Sequence, residues 1–408
     1  MKKSMVFLFG LLVFSVSAQT KDTINIAVFL YDGVELLDFA GPAEVFAAAS
    51  YYTNNYHFNV YTVAKESKLK SQGFLDITPN YSLANAPKTD ILVLPGGNAQ
   101  DALNDTLTQK WIDKEIGNSS DVLTVCSGIF FLQESGRLEG IEVTSHHKIL
   151  PFLREILKPE NVVHEVKYVD TGKIVTSAGV SSGIEGAFLT VSKIAGYEVA
   201  NRTARYMEYP QWDISNGKIT YDLGDKASEY LTTTNDDKPQ FGVLDLAGHL
   251  ALREGRPEEA MKYFERNLSF YPKSPLSYYG LASSLEKMNK WAPPVYEDFL
   301  NVLRNEGAQA GYKIYQETKS KYPSWVLFTL KDITVRIENL MGQQNYEEAN
   351  LVGQMAMETY PDNMALYIQR INVYEKLKDT GKAKIMLHEA LKKFPPSEEL
   401  IQLKQRLD

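Results

Sequence analysis

The chain has 408 residues, of which 44% are hydrophobic and 23% charged, with 43 Lys and Arg against 51 Asp and Glu for a formal net charge of −8. That length exceeds one ordinary hydrophobic core and calls for two or more domains. The acidic balance argues against a nucleic-acid binder, and a single cysteine excludes an internal disulfide.

Residues 1–18 read as a signal peptide. Lys2 and Lys3 form a positive start, residues 5–14 an apolar run, and Val16-Ser17-Ala18 a small-residue cleavage site, so the mature chain is expected to begin at Gln19. The apolar run is short for a membrane span, and no cysteine follows it to carry a lipid. The expectation is a periplasmic or secreted protein with no stable membrane span after cleavage.

Residues 22–213 alternate between strand and helix patterns. Strands are expected at residues 24–31, 58–64, 91–94 and 122–125, and helices at 38–49, 101–116, 186–195 and 199–207. A hairpin is expected around Asp170-Thr171-Gly172. Short apolar runs alternating with helices predict an α/β domain, a doubly wound, flavodoxin-like, mostly parallel sheet. Residues 214–240 are polar and lack a sustained period, which reads as a linker with room for short local structure.

From residue 241 to 408 only helical patterns remain. Aromatic–proline pairs recur at Tyr271-Pro272, Tyr322-Pro323, Tyr360-Pro361 and Phe394-Pro395, and an alanine stands twelve residues before three of the prolines, at Ala260, Ala349 and Ala383. A small residue there permits close helix packing, and the proline ends the helix before it. The last interval, 34 residues, resembles the tetratricopeptide period, so an all-α, tetratricopeptide-like array is expected. Such an array implies a protein partner along its concave face, or a cover over the first domain.

The cysteine lies in Val125-Cys126-Ser127-Gly128, where an apolar strand meets a small-residue turn. A strand, a sharp turn and a helix form a nucleophile elbow that presents one side chain at the top of a sheet. In doubly wound sheets, sites form beyond the carboxyl ends of strands. The loop after the first strand carries Glu35 and Asp38, and the third strand ends in Pro95-Gly96-Gly97. A thiol reacts as thiolate, so its pKa is expected to fall, aided by the following helix start. A charged carboxylate beside it would oppose that. Asp38 is therefore read as a protonated donor or as the group that exchanges protons with substrate.

Five segments appear in order: Leu37-Asp38-Phe39-Ala40-Gly41-Pro42-Ala43-Glu44-Val45-Phe46, Leu94-Pro95-Gly96-Gly97, Val125-Cys126-Ser127-Gly128, Val143-Thr144-Ser145-His146, and Ser177 to Glu185. Together they resemble the ThiJ/PfpI superfamily, of class I glutamine amidotransferase-like fold, in the branch of isonitrile hydratases and the sensor domains of certain AraC-type regulators. The resemblance implies that Cys126 is the nucleophile, that Asp38 hydrogen-bonds it, and that Gly97 and Ser127 stabilise developing negative charge. It places Gly96, His146 and Glu185 at the substrate. The branch has Thr where Ser127 stands and Asp where Glu185 stands. It implies no metal or organic cofactor, a small-molecule substrate, and a homodimer through the α/β domain. The expected activity is cysteine-dependent hydration or hydrolysis, with isonitrile hydration, a lyase reaction, as the leading reading. The alternative is a non-catalytic ligand sensor or scaffold. A late His-x-Glu pair, which a glutamine amidotransferase needs, is missing after Gly179 in this domain, and Ser127 stands where the protease-like branch has His.

Overall fold

The computed structural model describes residues 21–53, 55–232, 238–272, 276–395 and 397–407. The expected signal peptide lies outside them. The chain divides into two compact units, one formed by residues up to Phe188 with Thr203–Thr220, the other by Leu189–Arg202 with Tyr221–Asp408.

Among the described residues, the first unit is built on ten strands: β1 (Asp22–Leu30), β2 (Tyr56–Ala64), β3 (Leu69–Ser71), β4 (Leu75–Ile77), β5 (Tyr81–Ser82), β6 (Ile91–Leu94), β7 (Asp121–Val125), β8 (Tyr168–Asp170), β9 (Ile174–Ser177) and β10 (Lys218–Ile219). Eight of them form one sheet in the order β10-β8-β9-β7-β6-β1-β2-β5, parallel except for the β8–β9 hairpin. β3 and β4 pair separately. The central strands are apolar throughout: Ile26 to Leu30 and Ile91 to Leu94 are essentially without exposed surface. Continuous apolar strands require cover on both faces, the parallel-sheet pattern read from the sequence. The helices α1 (Leu36–Ala49), α2 (Gln100–Asn104), α3 (Thr106–Asn118), α4 (Ile129–Glu134), α5 (Leu150–Ile156), α6 (Ser182–Ala195) and α7 (Tyr197–Tyr206) follow in turn. The helix expected over residues 101–116 is two helices. Asp105 breaks it, because its carboxylate accepts from the Thr108 N–H and so starts α3 afresh.

The register places the site. β6 lies between β1 and β7, with Val28 opposite Val93 and Leu94 opposite Thr124, and β9 sets Ser177 opposite Val125. Their carboxyl ends therefore deliver residues 31–38, 95–97, 126–128 and 178–180 to one edge of the sheet.

Residues 214–240 hold more than a linker. Lys218–Ile219 pairs with β8 as the edge strand, and α8 (Leu223–Thr232) belongs to the second unit, burying Leu223 and Ala227. The described residues then form ten further helices: α9 (Phe241–Arg253), α10 (Pro257–Phe270), α11 (Ser277–Lys287), α12 (Tyr296–Asn305), α13 (Ala308–Lys321), α14 (Leu330–Gly342), α15 (Tyr346–Thr359), α16 (Met364–Lys376), α17 (Thr380–Lys393) and α18 (Glu398–Leu407). Each aromatic–proline pair comes directly after a helix, α10, α13, α15 or α17. Ala260, Ala349 and Ala383 are fully buried, as close helix contact demands. The tyrosines of three pairs do a further job. Tyr271 donates its hydroxyl to the Pro239 carbonyl, Tyr322 to that of Trp291 and Tyr360 to that of Phe328, each just ahead of the helix that begins the pair.

α6 and α7 cross the boundary between the units. Ile194, Val199 and Ala200 are buried with the second unit, where a Cβ on Gly242 would come within 2.2 Å of the Ser192 carbonyl. A chain ending at residue 240 strips these apolar groups of cover. It is expected to be recovered as aggregate, and size-exclusion chromatography of the truncated protein checks this; a monodisperse soluble peak would refute it.

Candidate active site

Cys126 takes a left-handed backbone conformation (φ +55°) straight after β7. A non-glycine residue there costs on the order of 1–3 kcal/mol, so it persists only when its surroundings hold it. Two bonds do so: the Cys126 N–H donates to the Ala178 carbonyl at 2.8 Å, and the Ser145 hydroxyl donates to the Cys126 carbonyl at 2.8 Å. Residues 126–128 form a single 3-10 turn that leads into the six-residue α4. The turn presses on the end of β6, where a Cβ on Gly128 would sit 2.0 Å from the Leu94 carbonyl oxygen. Gly128→Ala is expected to destabilise the protein by about 3 kcal/mol, read from the urea unfolding midpoint. An unchanged midpoint would show that the turn gives way freely.

Asp38 lies in the first turn of α1 and has no exposed surface. Its carboxylate accepts from the Gly96 N–H and the Val180 N–H, both at 3.0 Å. Gly96 must be glycine at this contact, since a Cβ would fall 2.7 Å from Asp38 Oδ2 and 2.8 Å from both Ser127 N and Ser127 Oγ. Gly97 (φ +134°) continues the loop; its N–H donates to Ser127 Oγ at 2.9 Å, and that hydroxyl donates back to the Gly97 carbonyl at 3.1 Å. Tyr31 fixes the other side of the loop by donating its hydroxyl to the Pro95 carbonyl at 3.1 Å.

Burial sets the electrostatics. It pushes the Asp38 carboxyl up to about 7, against the two backbone N–H groups that favour its charge, with Glu35 adding to the rise. It pushes the Cys126 thiol up to about 12; the Asp38 charge adds to this, while the Ser127 amide and hydroxyl pull the other way. The expectation of a depressed thiol pKa from the following helix start is therefore overturned. The turn is short, and desolvation plus an acidic neighbour outweigh its dipole. At neutral pH the pair holds a protonated thiol next to a carboxyl poised between its two forms.

Asp38, Gly96, Gly97 and Ser127 come together on the loops around Cys126, but among the described residues no hydrogen bond joins Asp38 to the Cys126 thiol, so the bond implied by the resemblance is not made; Asp38 is held by the Gly96 and Val180 N–H groups instead. Gly97 differs in detail, because its N–H is engaged by Ser127 Oγ and does not stand open to a ligand. His146 packs on the segment that clamps the cysteine, its Cδ2 within 2.4 Å of where a Gly179 Cβ would be. Burial, His147 and Lys148 lower its pKa, which favours the neutral ring. Glu185 does not join the group. It is buried, and its oxygens accept from the Tyr209 hydroxyl at 3.3 Å and from Asn216 at 3.1 Å. Its place at the substrate is corrected to a tie between α6 and residues 209–216. The sequence reading missed Val180, which adopts φ +50° and holds Asp38, and the Ser145 clamp. Ser145 stood within a quoted segment, and a hydroxyl next to His146 was the signal available. No group of three or more His, Cys, Asp or Glu side chains among the described residues is arranged to hold a metal ion.

A thiol on a strained elbow, at the carboxyl edge of a doubly wound sheet and beside a buried carboxyl, defines a class of α/β proteins with a cysteine-centred site. Through this domain the chain belongs to the DJ-1/PfpI family, whose profile matches residues 24–193. It is 27% identical to an isonitrile hydratase of Pseudomonas putida over 191 residues, covering 46% of this chain and 78% of that protein. It is 31% identical to an uncharacterized protein in the cpoL 5' region of Streptomyces lividans over 123 residues, covering 30% of this chain and 86% of that protein. Among solved structures, Drosophila melanogaster DJ-1beta aligns with a TM-score of 0.41 and 22% identity, covering 46% of this chain and 98% of that one.

Proposed function

We propose that the α/β domain hydrates a small isonitrile to an N-substituted formamide through a covalent bond to Cys126. The observation that carries this reading is a cysteine on a left-handed elbow that is electrostatically coupled to a buried carboxyl, Asp38, which burial pushes up to about 7. A group poised at the working pH both takes and gives a proton effectively. The Asp38 carboxylate takes the thiol proton as Sγ bonds to the terminal isonitrile carbon, then passes that proton to the same carbon. The product is a thioimidate, R–N=CH–S. Water adds to its carbon, the C–S bond breaks, the nitrogen gains a proton, and the formamide leaves with the thiol restored. The sum is isonitrile plus water giving formamide. The similarity to the Pseudomonas putida protein supports this choice among cysteine reactions. The test is formamide production from methyl and cyclohexyl isocyanide, with mass spectrometry of the quenched protein. Turnover with a thioimidate adduct on Cys126 is expected; no turnover and no adduct would end the reading.

One observation favours a second reading. A thiol held near 12, with the Gly97 N–H already occupied, also suits a non-catalytic ligand sensor. Native mass spectrometry separates the two, since a retained metabolite without turnover supports the sensor. Export to the periplasm or medium is part of the proposal and rests on residues 2–18 alone; N-terminal sequencing from Gln19 would support it. The tetratricopeptide-like character of the helical unit and a homodimer through the α/β domain are likewise proposed.

A further inference from the structure

We propose that a cleft in the helical unit, between α11, α12 and α13, receives an arginine side chain presented by a partner polypeptide. The cleft has a volume of about 270 Å³. Its apolar surface comes from Ala282, Ile314 and the Trp291-to-Val295 loop, and its charged groups are Glu286, Asp298 and Glu317.

The loop is built to stay in place. Trp291 lies nearly parallel to the Tyr322 ring, at 17° with centroids 6.2 Å apart, and the Tyr322 hydroxyl donates to its carbonyl at 3.3 Å. Pro293 and Pro294 fix two successive φ angles, so an occupant would order little further chain. Trp291 nevertheless remains 39% exposed.

The charges select the occupant. Lys321 pairs with Glu317 at 2.8 Å and sits 4.2 Å from the centre of the Trp291 ring. That indole already receives a cation within the chain. Glu286 and Asp298 are exposed and have no ion pair or side-chain hydrogen bond among the described residues, so both carboxylates at the cleft are open to an incoming cation. The carboxylates are not gathered closely enough to hold a metal ion. A long side chain with an apolar stem and a broad, forked cation fits this pattern: the stem covers the prolines while the guanidinium reaches both carboxylates. The inference concerns the helical unit and is independent of the chemistry proposed for Cys126.

The test uses the full chain labelled with 5-fluorotryptophan, whose resonances cover Trp111, Trp212, Trp291 and Trp325. Trp291→Phe assigns one signal, and the other three report folding. Blocked Gly-Arg-Gly is expected to shift the Trp291 signal saturably, while the neutral isostere Gly-citrulline-Gly leaves it in place. Glu286→Gln with Asp298→Asn is expected to weaken the arginine peptide by about tenfold. An equal shift with the citrulline peptide, no shift with the arginine peptide, or undiminished binding by the double variant would each overturn the proposal.

Discussion

Cys126→Ala is expected to lower formamide production by at least about a thousandfold while leaving the fold intact. The reasoning is local. Alanine keeps the Cβ and therefore the same backbone strain at φ +55°, and the Ala178 and Ser145 bonds to residue 126 use only its main-chain atoms. The variant thus removes the sulfur and little else, and its unfolding midpoint should stay within about 1 kcal/mol of the parent. Turnover that survives the substitution would show that the chemistry occurs elsewhere. A collapse in stability would show that the thiol is a packing group, and the activity loss would then carry no mechanistic meaning.

Asp38→Asn should move two properties in opposite directions. The Asp38 charge is the second cause, after burial, of the raised thiol pKa. Removing it should let Cys126 ionise more readily, so the rate of iodoacetamide alkylation should rise at a lower pH than in the parent. Turnover should nevertheless fall by about a hundredfold or more, because an amide cannot relay the thiol proton to the substrate carbon. The parent's kcat/KM should change across pH 7, where Asp38 passes between acid and carboxylate, and that inflection should vanish in the variant. A variant whose thiol reacts as before, or which keeps its turnover and its pH profile, would break the proposed coupling. The substituted amide offers one carbonyl oxygen to the two N–H groups of Gly96 and Val180, so the unfolding midpoint should be measured alongside.

Much of this site was legible before any coordinates. The run Val125-Cys126-Ser127-Gly128 announces an elbow because the small residues admit the turn and the apolar strand drives it to the sheet's edge. Pro95-Gly96-Gly97 marks a close approach, and the contacts of a Cβ at Gly96 show how close it is. Asp38 was visible as a carboxylate on the first loop. The thiol's state was not legible, since a pKa follows from burial and from neighbours remote in sequence, such as Val180 next to Asp38. Glu185 misled for a related reason: its position along the chain matches a family segment, while its direction from α6 depends on Tyr209 and Asn216. In the fold, the long apolar strands declared themselves, whereas β3, β4, β5 and β10 are too short to show a period. Lys218–Ile219 joins the sheet because β8 offers an open edge, a feature invisible in its own two residues.

The tyrosine hydroxyls of the helical unit carry a mechanical consequence. Tyr271, Tyr322 and Tyr360 each fasten the close of one helical pair to its opening. The fourth aromatic in the series is Phe394, which has no hydroxyl to offer. α17 and α18 also share a small apolar cluster of their own with α16. The pair closed by Phe394 should accordingly loosen under heat or pulling before the three that a tyrosine fastens, with amide exchange faster in α17 than in α10, α13 and α15.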